Sequence, residues 1–222
     1  SSGLVFFQAE LFRKARRGQD NRVGDEIMFQ AIAAFFSKWF GRFKAFSMAA
    51  GAWGFLFSVN SLIGFQAGFE YDDGLVYSTP AFQAAEKDKA APGGPDYWNS
   101  VNRSFSYERL KPVPWLAAWT LKALGVKIAV FCDRGAEGGD SLEASWRKLA
   151  DYFYFTKTED EKYKILEKRR FIVYAAPSDS GIIQARKAGV TPLRVKKSKK
   201  SVNPLESNPG KFKERTLPFS DF

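Results

Sequence analysis

The chain has 222 residues, with 34 lysines and arginines against 24 aspartates and glutamates, a net charge of +10. It carries no histidine and one cysteine, Cys132. This excludes an intrachain disulfide, the commonest general base, the commonest zinc ligand and every Ser-His or Cys-His catalytic arrangement, leaving carboxylates, lysine and cysteine for any chemistry.

The length allows one sizeable domain plus an extension. Twenty-two Phe, 8 Tyr and 6 Trp suit a Phe-rich core and, equally, a protein–protein contact rich in rigid rings. Two basic runs stand out: Arg13-Lys14-Ala15-Arg16-Arg17 and Lys196-Lys197-Ser198-Lys199-Lys200. They read as solvated tails or as contacts to acidic protein, anionic lipid or a membrane surface. Nucleic acid is the lesser expectation, because no nucleic-acid-binding motif lies between them.

Residues 1–63 are expected to form an N-terminal helical extension. Asp25 can cap a helix running to about Lys44, with Met28, Ile32, Phe35, Phe36, Trp39, Phe40 and Phe43 on one face and Gln30, Ser37, Lys38 and Arg42 opposite. Phe35, Trp39 and Phe43 are the candidate partner-contact residues, together with Lys196, Lys197, Lys199 and Lys200. A basic polar face opposite an aromatic one also suits a membrane interface. No charged residue lies between Ala45 and Phe69, so this stretch must be weighed as a membrane span. Gly51, Gly54, Asn60, Ser61, Gly64, Gln66 and Gly68 keep it only moderately apolar. A helix packed on the domain or on a neighbour is the expectation, and a span the alternative.

Strands and helices then alternate. A strand at 65–71 leads into a loop with Ser78-Thr79-Pro80, and a polar Gly/Pro-rich excursion covers 86–96. A helix at about 113–124 precedes a strand at 127–132. Helices at 140–153 and 159–169 precede a strand at 171–176. A helix at 179–188 and a short strand at 192–195 follow. Apolar strands alternating with amphipathic helices predict a parallel sheet covered on both faces.

In such sheets sites gather at the carboxyl ends of the strands. Here those ends read Glu70-Tyr71-Asp72-Asp73-Gly74, Cys132-Asp133-Arg134 and Pro177-Ser178-Asp179-Ser180-Gly181. At these residues the chain resembles the haloacid dehalogenase superfamily and, within it, the bacterial class B acid phosphatases. Phe69 to Phe82 is similar to the family's D-x-D-D-T loop followed by S-x-P-x-F, and Tyr97 to Asn102 to part of its cap. Val130 to Arg134 stands at the T-G-R motif, and Lys162 falls near the third-motif lysine. Tyr174 to Gly189 stands at G-D-S-D-N-D-I with its following helix. Leu193-Arg194-Val195 and the closing Asp221-Phe222 echo the family too. The resemblance runs from about Gly64 to Phe222. It implies an α/β, Rossmann-like three-layer parallel sheet over 64–195 with a small cap at about 78–112, followed by a basic C-terminal tail over 196–222.

The resemblance also implies a mechanism that this chain departs from. The family's first aspartate attacks phosphorus and binds magnesium; its position holds Glu70, whose extra methylene moves the carboxylate by ~1 Å, enough to cost ~100-fold in a positioned reaction. Asp72 keeps the general acid/base place. Cys132, a weak donor, stands for the phosphate-binding Thr or Ser. Pro177 and Gly181 stand where two carboxylates complete the metal site, and Mg²⁺ requires oxygen ligands. Arg134, Lys162, Asp179 and Asp72 survive, either as a remnant anion or nucleotide pocket or as a set of structural pairs of Arg134 and Lys162 with Asp72, Asp73 and Asp179. Cys132 as a nucleophile is a third reading.

The expectation is a non-catalytic pseudo-phosphatase domain, an accessory subunit of a larger organellar complex. A membrane respiratory or ATP-synthase complex stands ahead of a ribosome, and a basic chain that begins at Ser1 rather than at a methionine fits an imported, processed mitochondrial protein. Two alternatives stand beside it: a divergent acid phosphatase of the bacterial envelope, and a phosphate- or nucleotide-binding or ribosome-associated module. No cofactor is expected, with magnesium only under the phosphatase alternative.

Overall fold

The computed structural model describes residues 34–35, 37–88 and 91–221. The expected cap Asp25, the apolar positions Met28, Ile32 and Phe36, the run Arg13 to Arg17, and Phe222 lie outside them. The chain divides into two units, residues 1–54 and 55–222.

The described part of the first unit is helical, and it belongs to a helix, α1, that spans Ser37–Ile63. The helix expected to end near Lys44 therefore continues. Nothing stops it: no proline follows, and Gly51 and Gly54 cost only ~1 kcal/mol each against their Ala, Phe and Trp neighbours. It is long and apolar enough to cross a membrane, with a mean hydropathy of 1.4. Phe35, Trp39 and Phe43 are exposed, and so are Phe40, Phe46 and Met48. Phe35, Trp39, Phe40 and Phe43 belong to the apolar face expected from sequence, and Phe46 falls in the same arc of the helix.

The second unit is built on a six-stranded sheet in the order β5-β4-β1-β6-β7-β8. The strands are β1 (Gln66–Glu70), β4 (Lys127–Cys132), β5 (Tyr152–Phe155), β6 (Phe171–Ala176), β7 (Thr191–Arg194) and β8 (Arg215–Thr216), and every pairing is parallel. The helices are α2 (Thr79–Lys87), α3 (Pro95–Arg103), α4 (Pro112–Ala123), α5 (Asp140–Trp146), α6 (Glu159–Lys168) and α7 (Asp179–Lys187).

The period-2 alternation of strand side chains explains the layers. Along β4, Ile128, Val130 and Cys132 enter one core with Phe69, Leu142 and Trp146, while Ala129 and Phe131 enter the other with Tyr174, Leu166, Ile182 and Ala185. Both faces of the strand are buried, so it reads as an unbroken apolar run. Gly68 is required where β1 passes Tyr174: a Cβ there would meet the Tyr174 ring at 2.5 Å and Phe131 at 3.1 Å.

Four expectations are corrected. The helix read over 140–153 stops at Trp146, and Tyr152–Phe155 forms edge strand β5 instead, since an aromatic run suits a strand surface. Ser78-Thr79-Pro80 is not loop but the start of α2, with Pro80 in the first turn, where its missing N–H costs nothing. The excursion at 86–96 is interrupted by α3, which begins at Pro95. The segment 196–222 is not a loose tail: β8 extends the main sheet, and Lys196 N–H donates to Ser220 Oγ at 3.0 Å. A short antiparallel pair, β2 (Val76–Tyr77) with β3 (Arg109–Leu110), closes the base of the insertion that carries α2 and α3.

Candidate functional site

The carboxyl ends of β1, β4 and β6 bring Glu70, Asp72, Cys132, Asp133, Arg134 and Ser178 together, α6 supplies Lys162, and α7 begins at Asp179. Glu70 is 2% exposed. Its Oε1 accepts from Lys162 Nζ at 3.0 Å, Tyr174 hydroxyl at 3.1 Å and Ser178 Oγ at 3.1 Å, and Ser178 also reaches Oε2 at 3.0 Å. Burial pushes the Glu70 carboxyl above its ordinary range; Lys162 opposes and Asp133 adds. Lys162, 1% exposed, also pairs with Asp133 at 2.8 Å and Glu159 at 3.6 Å. Burial alone would pull its ammonium down, but Glu70, then Asp133 and Glu159, carry it above the usual lysine range.

A second network lies beside the first. Arg134 donates through Nη2 to Asp72 Oδ1 at 2.5 Å and to Glu108 Oε1 at 2.5 Å, and through Nε to Asp72 Oδ2 at 3.0 Å. Its guanidinium sits 5.1 Å from the ring centroids of Tyr71 and Phe82. Glu108 accepts from the Tyr71 hydroxyl too. Burial raises the Glu108 carboxyl to about 7, against Arg134 and with help from Asp72. Asp179 receives Arg194 Nη2 at 2.9 Å and the Asn208 amide groups at 2.8 and 2.9 Å; these hold its carboxyl low despite the desolvation that works the other way. Asp73, in the left-handed region at φ 55°, accepts from Ser201 Oγ at 2.5 Å. Cys132 is fully buried and its thiol is pushed well up by burial, so it lacks the exposure and thiolate character of a nucleophile.

The pairing expected from sequence is therefore partly redrawn. Arg134 does hold Asp72, but Lys162 takes Glu70, Asp133 and Glu159, and Asp179 belongs to Arg194. Sequence reasoning did not assign Glu108, Asp133, Glu159, Tyr174 or Arg194 a place in these pairs. Arg194 had a visible signal, a cation inside the closing strand. Glu108 had none, because its partner lies 26 residues away.

Magnesium does not fit this donor set. Both Glu70 oxygens and both Asp72 oxygens already face protein donors. The Pro177 carbonyl accepts from Arg194 Nη1 at 2.8 Å. A Cβ on Gly181 would lie 2.2 Å from Glu70 Oε1 and 2.7 Å from Ala176 Cβ, leaving no room for a carboxylate. Among the described residues, no group of three or more His, Cys, Asp or Glu side chains is arranged to hold a metal ion.

Above these groups lies a cleft of about 730 Å³, walled by Phe82, Tyr97, Trp98 and Phe212 with Asp72, Asp133 and Asp179 at its floor. Arg134, Lys162 and Arg194 are each at most 1% exposed. Ser178, Ser180, Asn203 and Lys211 also line the cleft, and the Lys211 ammonium, its side chain 51% exposed, stands 3.5 Å from Asp179 Oδ2.

No family model and no curated protein matches the chain. Solved structures do. A predicted phosphoglycolate phosphatase from Haemophilus somnus 129pt is 16% identical, over 58% of this chain and 84% of that one, with a TM-score of 0.42. A HAD-superfamily hydrolase from Ehrlichia chaffeensis is 12% identical over 58% and 86%, with a TM-score of 0.39. A haloacid dehalogenase-like family hydrolase from Streptococcus pneumoniae is 13% identical over 60% and 85%, with a TM-score of 0.41. These are likenesses of fold at low identity.

Proposed function

We propose that the second unit is a haloacid-dehalogenase-type domain retired from phosphoryl transfer, serving as a non-catalytic accessory subunit of a larger assembly. The observation that carries this reading is the closed ring around Glu70. Lys162, Tyr174 and Ser178 engage its two carboxylate oxygens, while Pro177 and Gly181 stand where the family resemblance implies metal carboxylates. A phosphoryl-transfer centre works almost entirely by positioning and by cation-assisted charge stabilisation. A carboxylate 2% exposed, held by Lys162, Tyr174 and Ser178 and without the metal carboxylates the resemblance implies, provides neither.

The accessory role draws support from helix α1, where Trp39, Phe40, Phe43 and Phe46 are each more than half exposed. Large apolar side chains exposed in number mark a surface that a neighbour or a membrane covers. An organellar membrane complex is the setting this reading favours.

The test is hydrolysis of p-nitrophenyl phosphate with Mg²⁺. The expected trace matches a boiled control, and metal-dependent turnover above that control refutes retirement in favour of a divergent phosphatase. The accessory role is tested by the size of the gently extracted native particle; a free 25.0 kDa monomer refutes it.

A further inference from the structure

A second cavity, of about 1030 Å³, lies between β3 and the segment that follows β7. It shares no lining residue with the cleft over the strand ends. Arg109, Lys196, Lys197, Lys199 and Lys200 line it, against one carboxylate, Asp221. Lys197 is occupied, with Nζ donating to the carbonyls of Asn203 and Leu205. Among the described residues, no ion pair engages Arg109, Lys196, Lys199 or Lys200.

The fold fixes this basic segment from behind. Buried Lys111 donates to the carbonyls of Asp73 at 2.8 Å and Lys196 at 2.6 Å. The Tyr77 hydroxyl holds the Lys200 carbonyl at 3.0 Å, Ser201 reaches Asp73, and Val202 N–H reaches Thr79 Oγ1 at 3.1 Å. The backbone of 196–202 is thereby pinned in a curve with its lysines around a hollow. A basic run that only kept the chain soluble would gain nothing from such anchoring, whereas a binding site gains affinity from groups ordered beforehand.

We propose that this cavity binds a ligand bearing several clustered phosphates, as on a polyphosphorylated ring or a phosphoinositide headgroup. Four unpaired cations around one concavity call for a multiply charged anion, and its volume exceeds what a single phosphate fills. Lysine ammoniums act as point charges on phosphate, and an arginine fork can clasp it bidentately. Single-stranded nucleic acid is disfavoured because it needs successive aromatic platforms, and the wall offers only Tyr77. The inference stands apart from the reading of the closed strand-end site, and the two tests fail separately.

The test is calorimetric titration of the full chain with inositol hexakisphosphate at two salt concentrations. Saturable 1:1 binding is expected, weaker at the higher salt because phosphate contacts release counterions. The Arg109→Glu/Lys199→Glu/Lys200→Glu variant should lose roughly tenfold or more in affinity, since three exposed charge contacts, each contributing a few-fold, multiply to that order. Lys187→Glu, at the exposed end of α7, should bind as wild type. Vesicles with and without phosphatidylinositol bisphosphate separate a lipid headgroup from a free ligand. No binding at about 1 mM ligand, equal binding by the triple variant, or preference for a single-stranded RNA oligomer would each overturn the proposal.

Discussion

Replacing Lys162 with methionine tests how the strand-end site is held. The substitution keeps the side-chain length and removes the ammonium 3.0 Å from Glu70. Asp133 and Glu159, with side chains 36% and 43% exposed, can rehydrate. Glu70, 2% exposed, cannot. Removing one partner of a buried ion pair costs about 3–5 kcal/mol when the remaining charge stays ionised. Glu70 has an escape, which is to take up a proton. Burial already holds its folded-state pKa above the ordinary glutamate value, and losing Lys162 raises it further. A carboxyl raised in the folded state binds more protons there than in the unfolded chain, so stability falls as pH rises above the unfolded value, by about 1.4 kcal/mol per pH unit. Lys162→Met should therefore be mildly destabilised near pH 4.5 and lose the full amount by about pH 8. Urea unfolding followed by tryptophan fluorescence at both pH values reads this directly. The double variant Glu70→Gln/Lys162→Met should recover most of the loss at pH 8, because a neutral amide replaces the stranded charge. An equal loss at both pH values, or a double variant no better than the single one, would refute the pairing.

Two further outcomes follow from the same region. Gly181→Ala should destabilise by about 1–3 kcal/mol in chemical denaturation, as overpacking does. Its Cβ would enter space held by Glu70 Oε1, Ala176 Cβ and Ser178 Oγ, and wild-type stability would mean that Glu70 is not pinned. Cys132 should fail to react with Ellman's reagent in the native protein and react once on unfolding, because it is fully buried and its thiol is shifted upward; rapid native labelling would place it at the surface.

The order of the elements was readable because β4 and β6 are apolar runs that alternate with amphipathic helical segments; the caps Thr158 and Ser178, which open α6 and α7, were not used in that reading. The edge strands were not readable. Tyr152 to Phe155 suits a helix-length continuation as well as a strand, and only the vacant edge of β4 decides between them. Arg215–Thr216 is two residues long and has no periodicity to detect. The run Lys196 to Lys200 reads as a tail by composition, since the contacts that curl it come from Lys111, Tyr77 and Asp73, more than 80 residues earlier in the chain.

By itself the amino-acid sequence determined which side chains are absent: without histidine, and with Pro177 and Gly181 where the resemblance implies carboxylates, no rearrangement of the backbone can supply those groups. It also determined which groups stand at the strand ends, because residue type and strand order are local matters. Only the tertiary structure decided which charge neutralises which. Pairing energies depend on distances of a few ångströms and on exclusion of water, and those arise when segments far apart in sequence, such as Glu70 and Lys162 or Glu108 and Arg134, pack into one volume.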